Sequence, residues 1–581
     1  MNSDLFVARP WLRRYDPGVP PILTITPTPL PELLRRAAER FATTTAIAFY
    51  GRSLSYARLW EEANRFARGL LTIGFEPGQR AVILLPNIPQ AVIAYYGVLL
   101  AGGIVVLANP IFDAEGFAHE VRDSEATTVI ALSMFHRLVE QVRASLPFPH
   151  LIYTNLKEYL PSSQRILFTL LRQEREGHRV LEQQAAQAHW FQHVLAAGNQ
   201  GDLPTLRADD PAVILYTSGT TGAAKGVLHC HASLYANTYQ TRAWYTDADE
   251  GNERVLCAIP FSHAYGMTAC MNVGIALGAT LILLPTFETQ NVLHAIRRER
   301  PTFFPGVPPM YAALNEVRDV RKYGLSSLKS CLSGAAPLPI EVQEGFERIT
   351  RSRLVEGYGL TEAGPVTHAN PLRGLRRAGT IGLPLPNTEA RVVDMQSGAD
   401  LPLGRIGELL VRGPQLMAGY WRNPQATAEV FTADGWLRTG DVARMLPDGY
   451  FQIIERKKEM IVAGDYNIYP RDLEEALYEH PTVIDAAVVG VPLPDGCTEI
   501  RAFVVTRPGE RVSEAEVFAF LRERLSLPVM PEKIEFREAL PRSVIGKLLR
   551  WRLVEELRGA NSSSVIMTCP HRWARSEWPT R

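Results

Sequence analysis

The chain has 581 residues, room for several domains at about one per 150 residues. Apolar residues make up 46% and charged residues 21%, with 61 basic side chains against 61 acidic ones. That composition is ordinary for a soluble globular protein, and the balanced charge leaves no electrostatic footprint for nucleic acid.

The N-terminal MNSDLFVARPWLRRYDPG lacks the apolar run of a secretory signal. Residues 30–41 and 56–71 are amphipathic and predict helices, while 80–85, 104–107, 213–216 and 280–284 are short apolar runs that predict buried strands. Two uncharged stretches, 91–108 and 268–287, approach the length of a membrane span, about 20 residues. Internal glycines and terminal Val/Ile/Leu runs favour a helix followed by a buried parallel strand. The alternation predicts an α/β fold with a large N-terminal domain of parallel-rich sheets.

Residues 154–200 are polar and predict a surface excursion. Gly/Pro turns and short alternating strands from Gly379 onward predict a small β subdomain over about 379–455. The charged ERKKE (455–459) predicts a boundary, so that 1–455 forms the large domain and 456–558 a smaller, hinged α+β domain. The tail 559–581 shows no periodicity and predicts disorder. Six cysteines without a C-x-x-C pair suit thiols in a reducing cytosol, and argue against a disulfide framework or a zinc ribbon.

The chemistry concentrates in ILYTSGTTGAAKG (214–226). A strand runs into Thr217, Ser218, Gly219, Thr220, Thr221 and Gly222, and then Lys225. Glycines let backbone N–H groups converge, hydroxyls add donors and the lysine adds a point charge, so the loop suits polyanionic oxygens. Lys225 follows Ala224 and precedes Gly226, which departs from the Gly-Lys-Ser/Thr of a Walker A loop.

This loop resembles the phosphate loop of the adenylate-forming superfamily: acyl-CoA synthetases, peptide-synthetase adenylation domains and firefly-type luciferases. Seven more segments resemble that family's motifs in its order: PFSHAYG (260–266), SGAAPLP (333–339), EGYGLTE (356–362), GELLVRGPQLMAGYW (407–421), TGD (439–441), ERKKEMIVAGDYNIYP (455–470) and LPRSVIGKLLR (540–550). The resemblance covers about residues 20–555. The N-terminal RPWLRRYDPGVP and GDYNIYPRDLEEAL look most like bacterial long-chain fatty-acid–CoA ligases.

The resemblance implies roles. Glu362 would hold Mg²⁺ on the ATP phosphates, which suits a hard oxygen ligand, and Thr361 would contact the α-phosphate. Gly334, Ala335 and Ala336, with Glu356, Gly357 and Tyr358, would frame adenine. Asp441 would accept the ribose hydroxyls, assisted by Arg456. Lys547 would stabilise charge developing at the α-phosphorus. His263 would line the carboxylate site, although a lone His in an apolar run is also often an ordinary core residue. Lys458 would mark the hinge, and the loop at Gly464 would serve thiol transfer.

The implied co-substrates and cofactor are ATP, Mg²⁺ and coenzyme A, with a fatty acid as substrate. The resemblance leaves room for transient membrane-surface contact, for a homodimer, and for a cytoplasmic protein peripheral to the inner membrane. Residues 257–287, which by family position would line the acyl pocket, contain no Asp or Glu to pair with an ammonium. An unsubstituted medium-to-long-chain acid therefore fits better than an amino acid.

Three positions depart from the family pattern: Glu455 before Arg456, Thr498-Glu499 where Gly-Glu is usual, and Ile545 two residues before Lys547. Three alternatives stay open: an acyl-AMP ligase loading a carrier-protein thiol, a luciferase-like oxygenase, and a non-catalytic nucleotide- or acyl-binding homologue.

Overall fold

The computed structural model describes residues 9–108, 114–180, 188–217, 224–463, 466–492, 498–510, 512–525, 530–542 and 548–561. The chain divides into two compact units. The first comprises Met1–Arg391, Leu410–Arg438 and Leu446–Phe451; the second comprises Val392–Leu409, Thr439–Met445 and Gln452–Arg581.

Two large sheets organise the first unit. The eight-stranded sheet runs in the order Gly419–Tyr420, Lys225–Cys230, Pro211–Thr217, Ile104–Leu107, Arg80–Leu84, Thr128–Leu132, His150–Thr154 and His189–Trp190. Its strands pair in parallel, except that Lys225–Cys230 is antiparallel to both neighbours. The nine-stranded sheet runs Leu383–Pro384, Val366–Ala369, Arg353–Gly359, Ser330–Ser333, Phe303–Gly306, Arg254–Cys257, Thr280–Leu283, Thr45–Phe49 and Arg52–Ser55. Here too the central pairs are parallel.

Both uncharged stretches are a helical segment and then a buried strand. Pro89–Leu100 is a helix buried at every residue, and it precedes Ile104–Leu107, also wholly buried. Covered on both faces, a parallel strand has no polar side to show, which is why its sequence runs apolar throughout. No described helix is long and apolar enough to cross a membrane. Pro89 opens its helix, where a missing N–H costs nothing. Gly97 lets the helix approach Tyr56–Thr72, since a Cβ there would stand 2.7 Å from the Phe66 ring. Ser55 caps Tyr56–Thr72 by accepting the Arg58 N–H at 3.2 Å.

The stretch 154–200 differs from the predicted excursion. It includes the helices Ser162–Leu171 and Phe191–Ala197, and between them His189–Trp190 rejoins the eight-stranded sheet as its edge, paired with Ile152 and Tyr153. Phe191 and Phe66 stack at 4.4 Å, and that contact pulls the returning chain inward.

A four-stranded sheet, in the order Glu389–Val393, Gly407–Arg412, Leu437–Met445 and Phe451–Arg456, uses the segments in which the chain passes from unit to unit. The second unit also holds a sheet of Val483–Pro492, Thr498–Thr506 and Lys533–Phe536. One face packs Leu473, Leu477, Val488, Val504, Val517 and Leu521; the other packs Val489, Phe503, Leu553 and Leu557. Ser513 and Glu516 form a capping box on Glu514–Arg524. The last helix, Arg550–Asn561, extends past Arg558.

Candidate active site

The first unit brings several of the singled-out residues to the ends of its parallel strands, where ligands gather in open α/β sheets. The strand Pro211–Thr217 ends at Thr217, whose register partner is Lys225 at the start of the next strand. Ser218, Gly219, Thr220, Thr221 and Gly222 lie outside the described residues. Lys225 is held from its far side: Gly419–Tyr420 pairs antiparallel with that strand, and the Trp421 N–H donates to the Gly226 carbonyl at 2.7 Å. The Lys225 ammonium consequently stands 5.0 Å from the centre of the Tyr420 ring.

From the other sheet, Arg353–Gly359 runs through Glu356, Gly357 and Tyr358 into a short turn, Thr361–Ala363. Glu362 accepts the Tyr420 hydroxyl at 2.9 Å through Oε1, and its carbonyl accepts the Met417 N–H at 2.9 Å. Burial raises the Tyr420 phenol well above its ordinary pKa, and the Glu362 carboxylate raises it further. Thr361 is fixed from below, where His229 Nε2 donates to its carbonyl at 2.7 Å. Burial lowers His229 to about 4, so the ring is neutral at physiological pH.

Glu356 sits beside Ser333 in register, which sets the Gly334–Ala336 turn against the Glu356–Tyr358 strand. The Leu338 N–H donates to Glu356 Oε2 at 3.3 Å and ties down the far end of that turn. Ala335 adopts φ 67°, a left-handed conformation uncommon for a residue with a Cβ. Tyr265 flanks Gly334 so closely that a Cβ there would stand 3.0 Å from the ring, while its hydroxyl donates to the Leu332 carbonyl at 2.6 Å. His263 belongs to the same stretch, and its Nδ1 accepts the Tyr265 N–H at 3.2 Å. The following turn, Gly266–Asn272, is a buried π-helix, a form common at functional sites. Its polar groups are satisfied: Thr268 donates to the Gly364 carbonyl at 2.7 Å, and Asn272 accepts the Tyr96 hydroxyl at 2.8 Å.

The second unit holds a separate group. Asp441 is 3% exposed and lies 3.4 Å from Arg456 Nε. Its N–H donates to Thr439 Oγ1 at 3.1 Å, and the Thr439 hydroxyl donates to the Leu409 carbonyl at 2.8 Å. Lys457 pairs with Glu408 at 3.0 Å, and Lys458 follows it in the same exposed turn. Glu455 is buried and accepts the N–H groups of Arg456 and Arg471 at 2.8 and 3.0 Å. Burial pushes its carboxyl up to about 7, against the pull of Arg550. Arg550 reaches Glu474 at 2.7 Å and Glu459 at 2.5 Å. Gly464 and Lys547 lie outside the described residues.

Tyr420, His229 and Arg550 were not singled out from the sequence for any role. The family motifs contain Tyr420 and Arg550, but their partners emerge only from strand pairing and packing. Among the described residues, no group of three or more His, Cys, Asp and Glu side chains is placed to hold a metal ion. Glu362 thus offers one carboxylate, the donor type with which Mg²⁺ binds alongside substrate phosphates, so the residues present fit that ion.

The chain matches the family described as AMP-binding enzyme over residues 34–421, and that family's C-terminal domain over 472–547. It is 42% identical over 552 residues to a long-chain-fatty-acid–CoA ligase of Bacillus subtilis (strain 168), covering 94% of this chain and 98% of that one. To the long-chain-fatty-acid–CoA ligase of Salmonella typhimurium it is 34% identical over 557 residues, with the same coverage. Among solved structures it is similar to ATP-bound MatB from Rhodopseudomonas palustris, with a TM-score of 0.79, 27% identity and coverage of 92% and 100%. The anthranilate CoA ligase AuaEII in complex with anthranoyl-AMP gives a TM-score of 0.80, 25% identity and coverage of 93% and 99%.

Proposed function

Because this chain belongs to the AMP-binding enzyme family, we propose that it is an ATP-dependent fatty-acid–CoA ligase acting on medium-to-long-chain acids. A substrate carboxylate oxygen attacks the α-phosphorus of ATP, the bond to the bridging oxygen breaks, and pyrophosphate leaves. The sulfur of CoA then attacks the acyl carbonyl, the thioester forms, and AMP leaves with the electron pair of the broken C–O bond.

The observation that carries this reading is the convergence of Lys225, Tyr420 and Glu362 at the strand ends of the first unit. A cation and a carboxylate on one aromatic ring suit a nucleotide that brings both phosphates and a divalent ion. Mg²⁺ held by Glu362 would neutralise phosphate charge. Thr217, Ser218, Gly219, Thr220, Thr221, Gly222 and Lys225 bind phosphate oxygens, and Thr361 orients the α-phosphate. Gly334–Ala336 and Glu356–Tyr358 receive adenine; Asp441 and Arg456 receive ribose. Lys547 meets the charge developing at the α-phosphorus. Lys458 is the point about which the 456–558 region turns between half-reactions, and the Gly464 loop serves the thiol step.

The acid enters along residues 257–287, with His263 at its carboxylate end. That stretch carries no carboxylate, and its Gly266–Asn272 turn is wholly buried, which supports an uncharged chain. Tunnel depth then sets chain length, at about 0.8 kcal/mol per buried CH₂. The protein works in the cytoplasm and meets its acid transiently at a membrane surface.

The test is product analysis with ATP, Mg²⁺, CoA and palmitate. AMP, pyrophosphate and palmitoyl-CoA are expected in equal amounts. Release of ADP, or acyl transfer to a carrier protein but not to free CoA, would overturn the assignment.

A further inference from the structure

Most exposed apolar side chains of this protein occur singly along the chain, which is ordinary. The helix Ser162–Leu171 is different. Ile166, Leu167, Leu170 and Leu171 are 62%, 56%, 76% and 63% exposed, whereas Phe168 alone in the helix is buried. At about 100° per residue, the four solvent-facing side chains span an arc of roughly 140°. Phe168 points away from that arc and packs against the His178 ring at 5.2 Å.

The segments on either side of the helix are tethered. Before it, Asn155 and Glu158 close a capping box on Leu156–Tyr159. After it, Lys157 Nζ donates to Gln173 Oε1 at 2.8 Å, and His178 Nδ1 pairs with Ser133 Oγ at 2.9 Å. An apolar face on a tethered helix is a displayed surface, and surfaces of this kind mark interaction sites.

Charge indicates the occupant. Residues 162–180 carry four arginines (Arg165, Arg172, Arg175 and Arg179) against two glutamates; Arg172 pairs with Glu176 at 3.1 Å and Arg179 with Glu174 at 3.3 Å, and the segment keeps a net positive charge of two. A short amphipathic helix with aliphatic tips on one side, and arginines on the opposite side and just past its end, fits the boundary between headgroups and acyl chains of an anionic bilayer. Spanning is excluded for it, since ten residues reach about 15 Å.

We infer that Ser162–Leu171 is a peripheral membrane anchor that lays its Ile166/Leu167/Leu170/Leu171 face into an anionic lipid surface. It names the element for the membrane contact in the functional reading above. It is nevertheless tested without acid, ATP or CoA, so its failure leaves acyl activation standing.

The experiment is flotation of the full chain with vesicles of phosphatidylcholine containing roughly a third phosphatidylglycerol, and with phosphatidylcholine alone. The unaltered chain should float with the anionic vesicles. The triple variant Leu167→Ser, Leu170→Ser, Leu171→Ser should lose about tenfold or more in partitioning. Arg172→Gln with Arg175→Gln should lose at least about fivefold on anionic vesicles and little on neutral ones. All five side chains are open to solvent, so thermal unfolding midpoints should stay put. An unaltered chain that stays unbound, or a triple variant that floats equally well, would overturn the inference. So would a triple variant whose only change is loss of a dimer in sedimentation velocity, because the face would then belong to a second copy.

Discussion

Tyr420 donates its hydroxyl to Glu362 Oε1 at 2.9 Å across 58 residues of sequence, and the ring that carries this hydroxyl lies under the ammonium of Lys225. One side chain therefore orients both the carboxylate proposed for Mg²⁺ and the cation proposed for phosphate. Partners that orient a metal-binding carboxylate typically change metal affinity about 10–100-fold when removed.

Tyr420→Phe separates the two jobs, because it keeps the ring and deletes the hydroxyl. The Mg²⁺ concentration for half-maximal activity should rise about tenfold, with ATP saturation much less affected. Tyr420→Leu, which also removes the ring, should weaken both. Titrations of Mg²⁺ and of ATP on the two variants check this; equal behaviour of the two would refute the division.

Asp441 sits at 3% exposure with Arg456 Nε at 3.4 Å. Asp441→Asn keeps the shape and loses the charge, so ATP binding should weaken about 10–100-fold through the ribose contacts. The KM for ATP measures this, and the KM for the acid should move little. A reversed pattern would place Asp441 at the acyl end.

Among the described residues, Arg550 is the one cation paired with Glu459 and Glu474, and it also pulls on Glu455. Arg550→Met leaves these carboxylates uncompensated and should cost about 3–5 kcal/mol of stability. Glu455 has its folded pKa raised to about 7, so the stability tied to its proton is present in acid and is lost as pH rises through that value. Removing the guanidinium raises this carboxyl further. Urea unfolding should accordingly show a larger loss at pH 8 than at pH 6; an equal or smaller loss would contradict the cluster's role.

His229 is fully buried and lowered to about 4 by burial. The unfolded chain takes up the proton near pH 6.5 and the folded chain does not, so stability is complete above that pH and falls as pH drops toward 4. Between pH 7 and pH 5 this one group accounts for about 2 kcal/mol. His229→Gln should flatten the acid side of the stability curve by about that amount, and an unchanged slope would show that His229 takes up its proton without penalty.

Much of the scaffold is legible in the sequence because burial on both faces removes every polar position. Ile104–Leu107 and Thr280–Leu283 are examples, each buried at all four residues. The same completeness makes them resemble membrane spans until the glycines and the strand-like endings are weighed. The edge strand His189–Trp190 was not legible, since two residues carry no period and their pairing depends on Phe191 packing far away at Phe66. In the site, Thr217, Lys225, Thr361 and Glu362 stand out because hydroxyls, glycines and charges crowd the ends of apolar runs. The links among them do not: Tyr420 meets Glu362 only because Gly419–Tyr420 pairs with Lys225–Cys230, and His229 meets Thr361 across 132 residues. A π-helical Gly266–Asn272 and a left-handed Ala335 likewise depend on tertiary contacts, not on local preference.

The most direct test of the acyl-adenylate account is exchange of labelled pyrophosphate into ATP without any CoA. Palmitate should drive that exchange, Mg²⁺ should be required, and Lys547→Ala should abolish it while sparing thioester formation from supplied palmitoyl-AMP. Exchange that appears only when CoA is added, or label that fails to enter ATP at all, would contradict the account.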